Sequence, residues 1–348
     1  MIGEILKRYD DRGTLRDEDI RYILEHEEEV REPLFRKSRE ITERHFHKKI
    51  YVRGLIEFSN YCKNNCYYCG IRGGNDEVVR YRLSKEAMEQ AVKAGAAMGF
   101  KTFVLQGGED PGFPDEEITR WLHAIKKIDP EAAVTLSVGE RPKEVYAQWK
   151  AAGADRFLLR HESYDPEHYK KLHPSNMKRE SRIQCLKDLK DLGFQVGSGF
   201  MVGSPYQTVE NLVEDFRFLK ELQPAMVGIG PYVSHHATPF KDFPSGSVER
   251  TAICIAILRL LFPKANLPST TAMQTLAKDG RNRGILAGAN VFMPNLSPPS
   301  VRDQYALYDD KAAFQLEAAE NLEELKRQIA ELGYEIVMSR GDYLDKES

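Results

Sequence analysis

The chain has 348 residues, 41% of them hydrophobic, with 50 basic side chains against 53 acidic ones and a formal net charge of −3. This length accommodates one large α/β barrel with a small extension, and the near-cancelling charges argue against a nucleic-acid or anionic-membrane surface, leaving a small substrate. Charged residues enter the N-terminus before a leader-like apolar run can form, and the longest apolar stretch, 252–262, holds Arg259, so a cytoplasmic protein without a spanning helix is expected.

Residues 1–48 are highly charged and lack strand-like runs; Ile20, Ile23 and Leu24 recur at helical spacing and predict a helical N-terminal extension. From residue 49 the pattern changes to apolar runs alternating with amphipathic segments. Strands are predicted at 51–58, 102–106, 133–137, 156–160, 195–201, 226–230, 267–271 and 290–293. Helices are predicted at 84–98, 115–128, 142–152, 178–192, 208–222, 247–262 and 276–286. Eight strands separated by helices run parallel and close into a complete (β/α)8 barrel of the TIM type over 49–348, with a doubly wound open sheet as the alternative. Leu316, Leu322, Leu325 and Ile329 predict a capping helix over 314–332.

Five cysteines are too few for a disulfide framework, and three crowd into Cys62, Cys66 and Cys69 directly after the first strand. Three thiolates suit soft metal chemistry, and a cubane cluster bound by only three leaves one iron open to an outside ligand. A structural zinc site wants four ligands; Cys185 and Cys254 are distant, and His45 and His47 lie upstream of the strand. Lys63, Asn64 and Asn65 make the segment a polar loop, whereas Cys185 and Cys254 read as buried, inert thiols. Tyr68 suits either packing or contact with a ligand.

Loops after successive parallel strands assemble one face, so polar residues at strand ends converge there. After the second strand come Gln106, Gly107, Gly108 and Glu109, where glycines admit a ligand to the backbone or simply make a turn. Thr135 and Ser137 alternate to one side of the third strand. Arg160 and Glu162 end the fourth, a guanidinium for a carboxylate and a carboxylate for hydroxyls, or an exposed ion pair. Arg182, a helical arginine, would ordinarily be solvated. Thr270, Thr271, Met273 and Met293 suit a cavity wall or barrel packing. His235 and His236 are adjacent in a loop, so their rings are expected to diverge into solvent and not to form a metal site.

The cysteine run resembles the signature of the radical S-adenosylmethionine (SAM) superfamily. Several runs together, EFSNYCKNNCYYCG at 57–70, LQGGEDP at 105–111, LSVGE at 136–140, LLRHE at 158–162, VGIGP at 227–231, TTAM at 270–273 and GANVFMPN at 288–295, resemble the HydE family of FeFe-hydrogenase maturases. The resemblance implies one 4Fe-4S cluster on Cys62, Cys66 and Cys69, with SAM on the open iron and reductive cleavage to a 5′-deoxyadenosyl radical. It implies SAM contacts from Tyr68, Gln106, Gly107, Gly108, Glu109, Ser137, Glu162 and Arg182. It further implies a cavity for substrate faced by Arg53, Thr135, Arg160, Thr270, Thr271, Met293 and Tyr305. In that family the role is assembly of the di-iron subcluster from an iron–cysteine carbonyl/cyanide precursor made by HydG, with the scaffold HydF and a reducing electron donor.

No cysteine follows Cys254, so the accessory C-terminal cluster of many members is expected to be absent. Biotin synthase would need further cluster cysteines. Methylornithine synthase, with a similar cysteine loop, is the nearer rival; a non-enzymatic iron–sulfur carrier would need neither glycine ledge nor hydroxyl-lined cavity.

Overall fold

The computed structural model describes residues 1–311 and 319–343. It opens with three helices, α1 (Ile2–Arg12), α2 (Asp17–Glu25) and α3 (Glu27–Phe46). Their apolar stripes, including Ile5, Ile20, Leu24 and Leu34, are buried in one core with Val213, Phe216 and Ile253. Residues 1–48 are therefore packed into the main body, at roughly 1.5–3 kcal/mol for each large apolar side chain buried.

The strands and helices that follow are β1 (Lys49–Val52), β2 (Gly54–Ser59), α4 (Lys85–Ala97), β3 (Thr102–Gly107), α5 (Asp115–Ile128), β4 (Ala133–Ser137), α6 (Lys143–Ala151), β5 (Arg156–Leu158), α7 (Pro166–Leu172) and α8 (Arg179–Asp191). Then come β6 (Gln195–Ser198), β7 (Met201–Val202), α9 (Val209–Leu222), β8 (Met226–Val227), β9 (Gly230–Pro231), α10 (Val248–Leu261), α11 (Thr271–Leu276), α12 (Gly280–Leu286), β10 (Val291–Phe292), α13 (Leu322–Glu331) and β11 (Glu335–Val337).

Six strands form a parallel sheet in the order β2-β3-β4-β5-β6-β8. Backbone bonds carry the ring onward: the Val227 amide donates to Asn266, the Ser269 amide to Val291, and the Leu55 amide to Pro294. The eighth strand thus returns to the first, as a (β/α)8 barrel requires. The strand predicted at 267–271 is reduced to single bridges at Asn266 and Pro268. Proline has no amide to donate to a ladder, and the chain turns into α11 at Thr271. The strand predicted at 51–58 is broken at Arg53, so that β1 pairs with β10 and β11 while β2 pairs with β3. The helix predicted at 276–286 starts later, as α12 at Gly280, and α7, α11 and β11 were not predicted.

Of the capping helix predicted over 314–332, residues 314–318 lie outside the described residues, and α13 supplies the rest. It leads into β11, which pairs parallel to β1. Residues 340–343 then cross the N-terminal end of the barrel. Arg156 donates to the Arg340 carbonyl at 2.7 Å and to Asp342 Oδ1 at 2.6 Å, Thr102 Oγ1 donates to the same carbonyl at 2.8 Å, and Asn266 Nδ2 donates to the Gly341 carbonyl at 3.2 Å. The C-terminal segment is a floor for the barrel. Among the described residues no helix is long and apolar enough to cross a membrane.

Candidate active site

The chain leaves β2 at Ser59 and loops over the opposite, C-terminal mouth of the barrel. Arg80 ties this loop together by donating to the carbonyls of Asn60 (2.5 Å), Ile71 (2.9 Å), Arg72 (2.7 Å) and Asn75 (3.1 Å). Cys62, Cys66 and Cys69 are free and half-buried on it, and all three line one cavity of about 390 Å³. Burial pushes the three thiols up, Cys66 to about 12.

Whether these thiols fit a cluster is tested by their spacing. Among the described residues, the one trio of His, Cys, Asp or Glu whose ligand atoms all lie within 4.8 Å of one another is His235, His236 and Asp309. Thiolates about 2.3 Å from one tetrahedral zinc would sit roughly 3.8 Å apart, and the three sulfurs do not all lie within 4.8 Å of one another. They suit a multi-iron cluster whose corners each take one sulfur.

The glycine run of β3 lies against this loop. A Cβ on Gly108 would fall 2.2 Å from the Tyr61 carbonyl oxygen and 2.8 Å from Cys62 Cβ, so only glycine admits the cysteine loop here. The Lys63 amide donates to the Glu109 carbonyl at 2.9 Å. The Glu109 carboxylate accepts from the Glu140 amide at 3.1 Å and lies 3.6 Å from Arg182. Gly139 has φ +77 and would drive a Cβ to within 2.0 Å of Glu109 Cγ, which explains the glycine of the 136–140 run.

Arg182, which as a helical arginine would ordinarily be solvated, is buried. Its Nε donates to Glu140 at 2.9 Å and its Nη1 to the Arg160 carbonyl at 3.2 Å. Burial alone would lower its pKa, but Tyr169, Glu140, Tyr68 and Cys66 outweigh that and hold it charged. Arg160 Nη2 lies 3.1 Å from Glu162 Oε2, an ion pair whose angle leaves both atoms without a well-formed hydrogen bond. Glu162 has φ +65, a left-handed conformation that costs a non-glycine residue roughly 1–2 kcal/mol. Between them His161 is wholly buried, its Nδ1 3.0 Å from Ser198 Oγ and its Nε2 3.2 Å from Asp215 Oδ1. The histidine anchors inward, and its two neighbours line the cavity.

The structure brings Tyr68, Gln106, Gly107, Gly108, Glu109, Ser137, Arg160, Glu162, Arg182, Thr270, Thr271, Met293 and Tyr305 onto the walls of that one cavity with the cysteines. Arg53 and Thr135 are not among them. They line a separate small space of about 10 Å³ with Arg156 and Met226, and Arg53 Nη1 lies 2.8 Å from Met226 Sδ. Thr135 and Ser137 do share a side of β4, but two residues of strand separate them by about 6.6 Å along the barrel. Ser137 reaches the upper cavity and Thr135 does not.

Among the wall residues that went unpredicted are Lys311 and Glu57. Lys311 Nζ lies 2.5 Å from Glu57 Oε1 and donates to the Tyr305 carbonyl at 3.0 Å; both side chains are buried and line the cavity. The signal for Glu57 was a carboxylate inside the otherwise apolar strand 54–58. His235 and His236 also correct an expectation, because their rings stack at 4.5 Å instead of diverging. His236 Nδ1 is 2.7 Å from Asp309 Oδ1. The Ala237 amide donates to His235 Nδ1 at 3.1 Å, which puts the proton of that neutral ring on Nε2, facing Asp309.

A loop of three thiols at the C-terminal mouth of a parallel barrel, beside a glycine ledge, defines a radical SAM enzyme. Residues 56–219 match the family model described as the radical SAM superfamily. The [FeFe] hydrogenase maturase subunit HydE of Thermotoga maritima is 44% identical over 280 residues, covering 80% of each chain. The 3-methylornithine synthase of Methanosarcina acetivorans is 31% identical over 299 residues, covering 85% of this chain and 83% of that one. The crystal structure of methylornithine synthase (PylB) superposes with a TM-score of 0.83 at 26% identity, covering 93% of this chain and 94% of that one. Within the radical SAM superfamily, the chain belongs to the HydE family.

Proposed function

We propose that this enzyme acts as a HydE-type maturase in assembly of the FeFe-hydrogenase di-iron subcluster, on a small iron–cysteine carbonyl/cyanide precursor. Cys62, Cys66 and Cys69 would hold the 4Fe-4S cluster, which with bound SAM and an electron supplies a 5′-deoxyadenosyl radical. Around it, the 106–109 ledge accepts the methionyl ammonium on backbone carbonyls, and Arg182 faces the methionyl carboxylate. Glu162 accepts from ribose hydroxyls, and Tyr68 borders the adenine. Arg160, Thr270, Thr271, Met293 and Tyr305 bound the substrate. Arg53 and Thr135, in the lower space, would act on substrate only through the barrel wall. The same reading carries no thiolate-held accessory cluster, a cytoplasmic site of action, HydG as source of the precursor and HydF as acceptor.

What supports this reading is that thiols, glycine ledge and buried ion pairs open onto one cavity. Anaerobically reconstituted protein given dithionite and SAM should yield 5′-deoxyadenosine, and should activate hydrogenase in a defined mixture with HydG and HydF. The 0.83 TM-score to methylornithine synthase favours a second reading, isomerisation of an amino acid. SAM cleavage with no maturation, and methylornithine formed from lysine, would establish that one instead.

A further inference from the structure

Three cations on the cavity wall are ion-paired: Arg182 with Glu109 and Glu140, Arg160 with Glu162, and Lys311 with Glu57. The first two belong to the SAM and substrate contacts already assigned. The third is not accounted for. Lys311 is the one buried lysine among the described residues, and it reaches a strand residue 254 positions away. A buried ammonium–carboxylate pair is a poor source of stability, because desolvation offsets most of the attraction and apolar residues of equal volume often do as well. Its position on a cavity wall gives the pair another use.

Glu57 is fixed before the lysine arrives. Its Oε2 accepts from Asn295 Nδ2 at 2.9 Å, its amide donates to Ser297 Oγ at 2.8 Å, and its carbonyl accepts from Tyr81 Oη at 2.7 Å. Lys311 is then held by the Glu57 carboxylate, by the Tyr305 carbonyl and over the Tyr305 ring at 5.0 Å. An ammonium has three hydrogens, and among the described residues these contacts use two of them. Compared with a guanidinium, it is a compact point donor, suited to a single anionic acceptor atom more than to a carboxylate fork.

We propose that Lys311 binds an anionic group of the substrate, one that presents a single acceptor atom such as a metal-bound cyanide or one carboxylate oxygen, and that Glu57 is its positioning residue. The proposal rests on the reading of the cavity as a substrate site.

The test uses azide, a small linear anion whose infrared stretch reports hydrogen bonding, on full-length reconstituted protein. The variants are Lys311→Met, Lys311→Arg and the double variant Glu57→Gln with Lys311→Met. The double variant leaves no stranded charge and guards against a variant that merely fails to fold. Wild type should bind azide with a shifted stretch, and Lys311→Met and the double variant should bind it at least tenfold more weakly. Lys311→Arg should recover part of the affinity. In the maturation mixture, the double variant should need at least tenfold more precursor for half-maximal rate while melting like wild type. Azide binding that is undetectable in wild type, or equal in the double variant, overturns the proposal, as does wild-type precursor dependence in the double variant. Loss of the maturase reading would be seen separately, as wild-type protein that cleaves SAM and activates no hydrogenase; the azide comparison is unaffected by it.

Discussion

Tyr68 donates its phenolic hydrogen bond to Nε2 of His173 at 3.0 Å. The direction follows from the other side of the ring, where Nδ1 lies 3.0 Å from the Tyr169 carbonyl, which can only accept. Burial, with Arg182 nearby, pushes His173 down to about 3, so the imidazole stays neutral and keeps this orientation. His173→Phe should therefore release Tyr68 without charging the pocket. SAM affinity measured by calorimetry should fall about fivefold, the equivalent of one hydrogen bond worth about 1 kcal/mol, and unchanged affinity would mean that Tyr68 is held by packing alone.

Cluster loading separates ligands from scaffold. Cys66→Ala should lose bound iron and SAM cleavage while melting like the wild-type apoprotein, because the loop is tied by Arg80 and not by the thiols. Arg80→Met keeps all three thiols but removes four bonds to loop carbonyls, and it too should bind less iron after reconstitution. Full iron content in Arg80→Met would show that the cluster itself organises the loop.

The left-handed backbone at Glu162 predicts a difference between two substitutions. Both Glu162→Gly and Glu162→Ala remove the carboxylate and should abolish most SAM cleavage. Glycine alone tolerates φ +65, so Glu162→Gly should be more stable than Glu162→Ala by about 1 kcal/mol in urea unfolding. Equal stabilities would indicate that the backbone relaxes once the carboxylate is gone.

At the barrel floor, burial alone would raise the Asp342 carboxyl, but Arg340 and Arg156 outweigh it and hold the group at about 2, below its ordinary 3.8. A carboxyl depressed on folding contributes stability that is fully present above its unfolded value and is lost as pH falls toward the folded one. The wild-type advantage over Asp342→Asn should therefore be constant above about pH 5 and vanish between about pH 4 and pH 2, as read by denaturant unfolding. An advantage that persists at pH 2 would assign the effect to shape instead of charge.

Much of this molecule was legible before any coordinates, for identifiable reasons. The cysteine spacing is local, and the strands at 102–106 and 133–137 are continuous apolar runs between amphipathic helices. Pro268 cuts the predicted seventh strand to single bridges by removing an amide from its ladder, and the first is split at Arg53 between two neighbours. Height along the barrel is not a periodic signal, so Thr135 and Ser137 looked equivalent and are not. The Lys311–Glu57 pair joins positions too far apart for any sequence window. The burial of Arg182 depends on Glu109 and Glu140, which come from other loops.

The floor made by residues 340–343 also bears on the order of events. A vessel stoppered at its base fills and empties through its neck, and here the neck is spanned by the cysteine loop. On the proposed seating of SAM against that loop, anything deeper would have to enter ahead of it and depart behind its nucleoside remnant. Turnover in such a vessel would be sequential, last in and first out, with the spent nucleoside as the cork on each cycle.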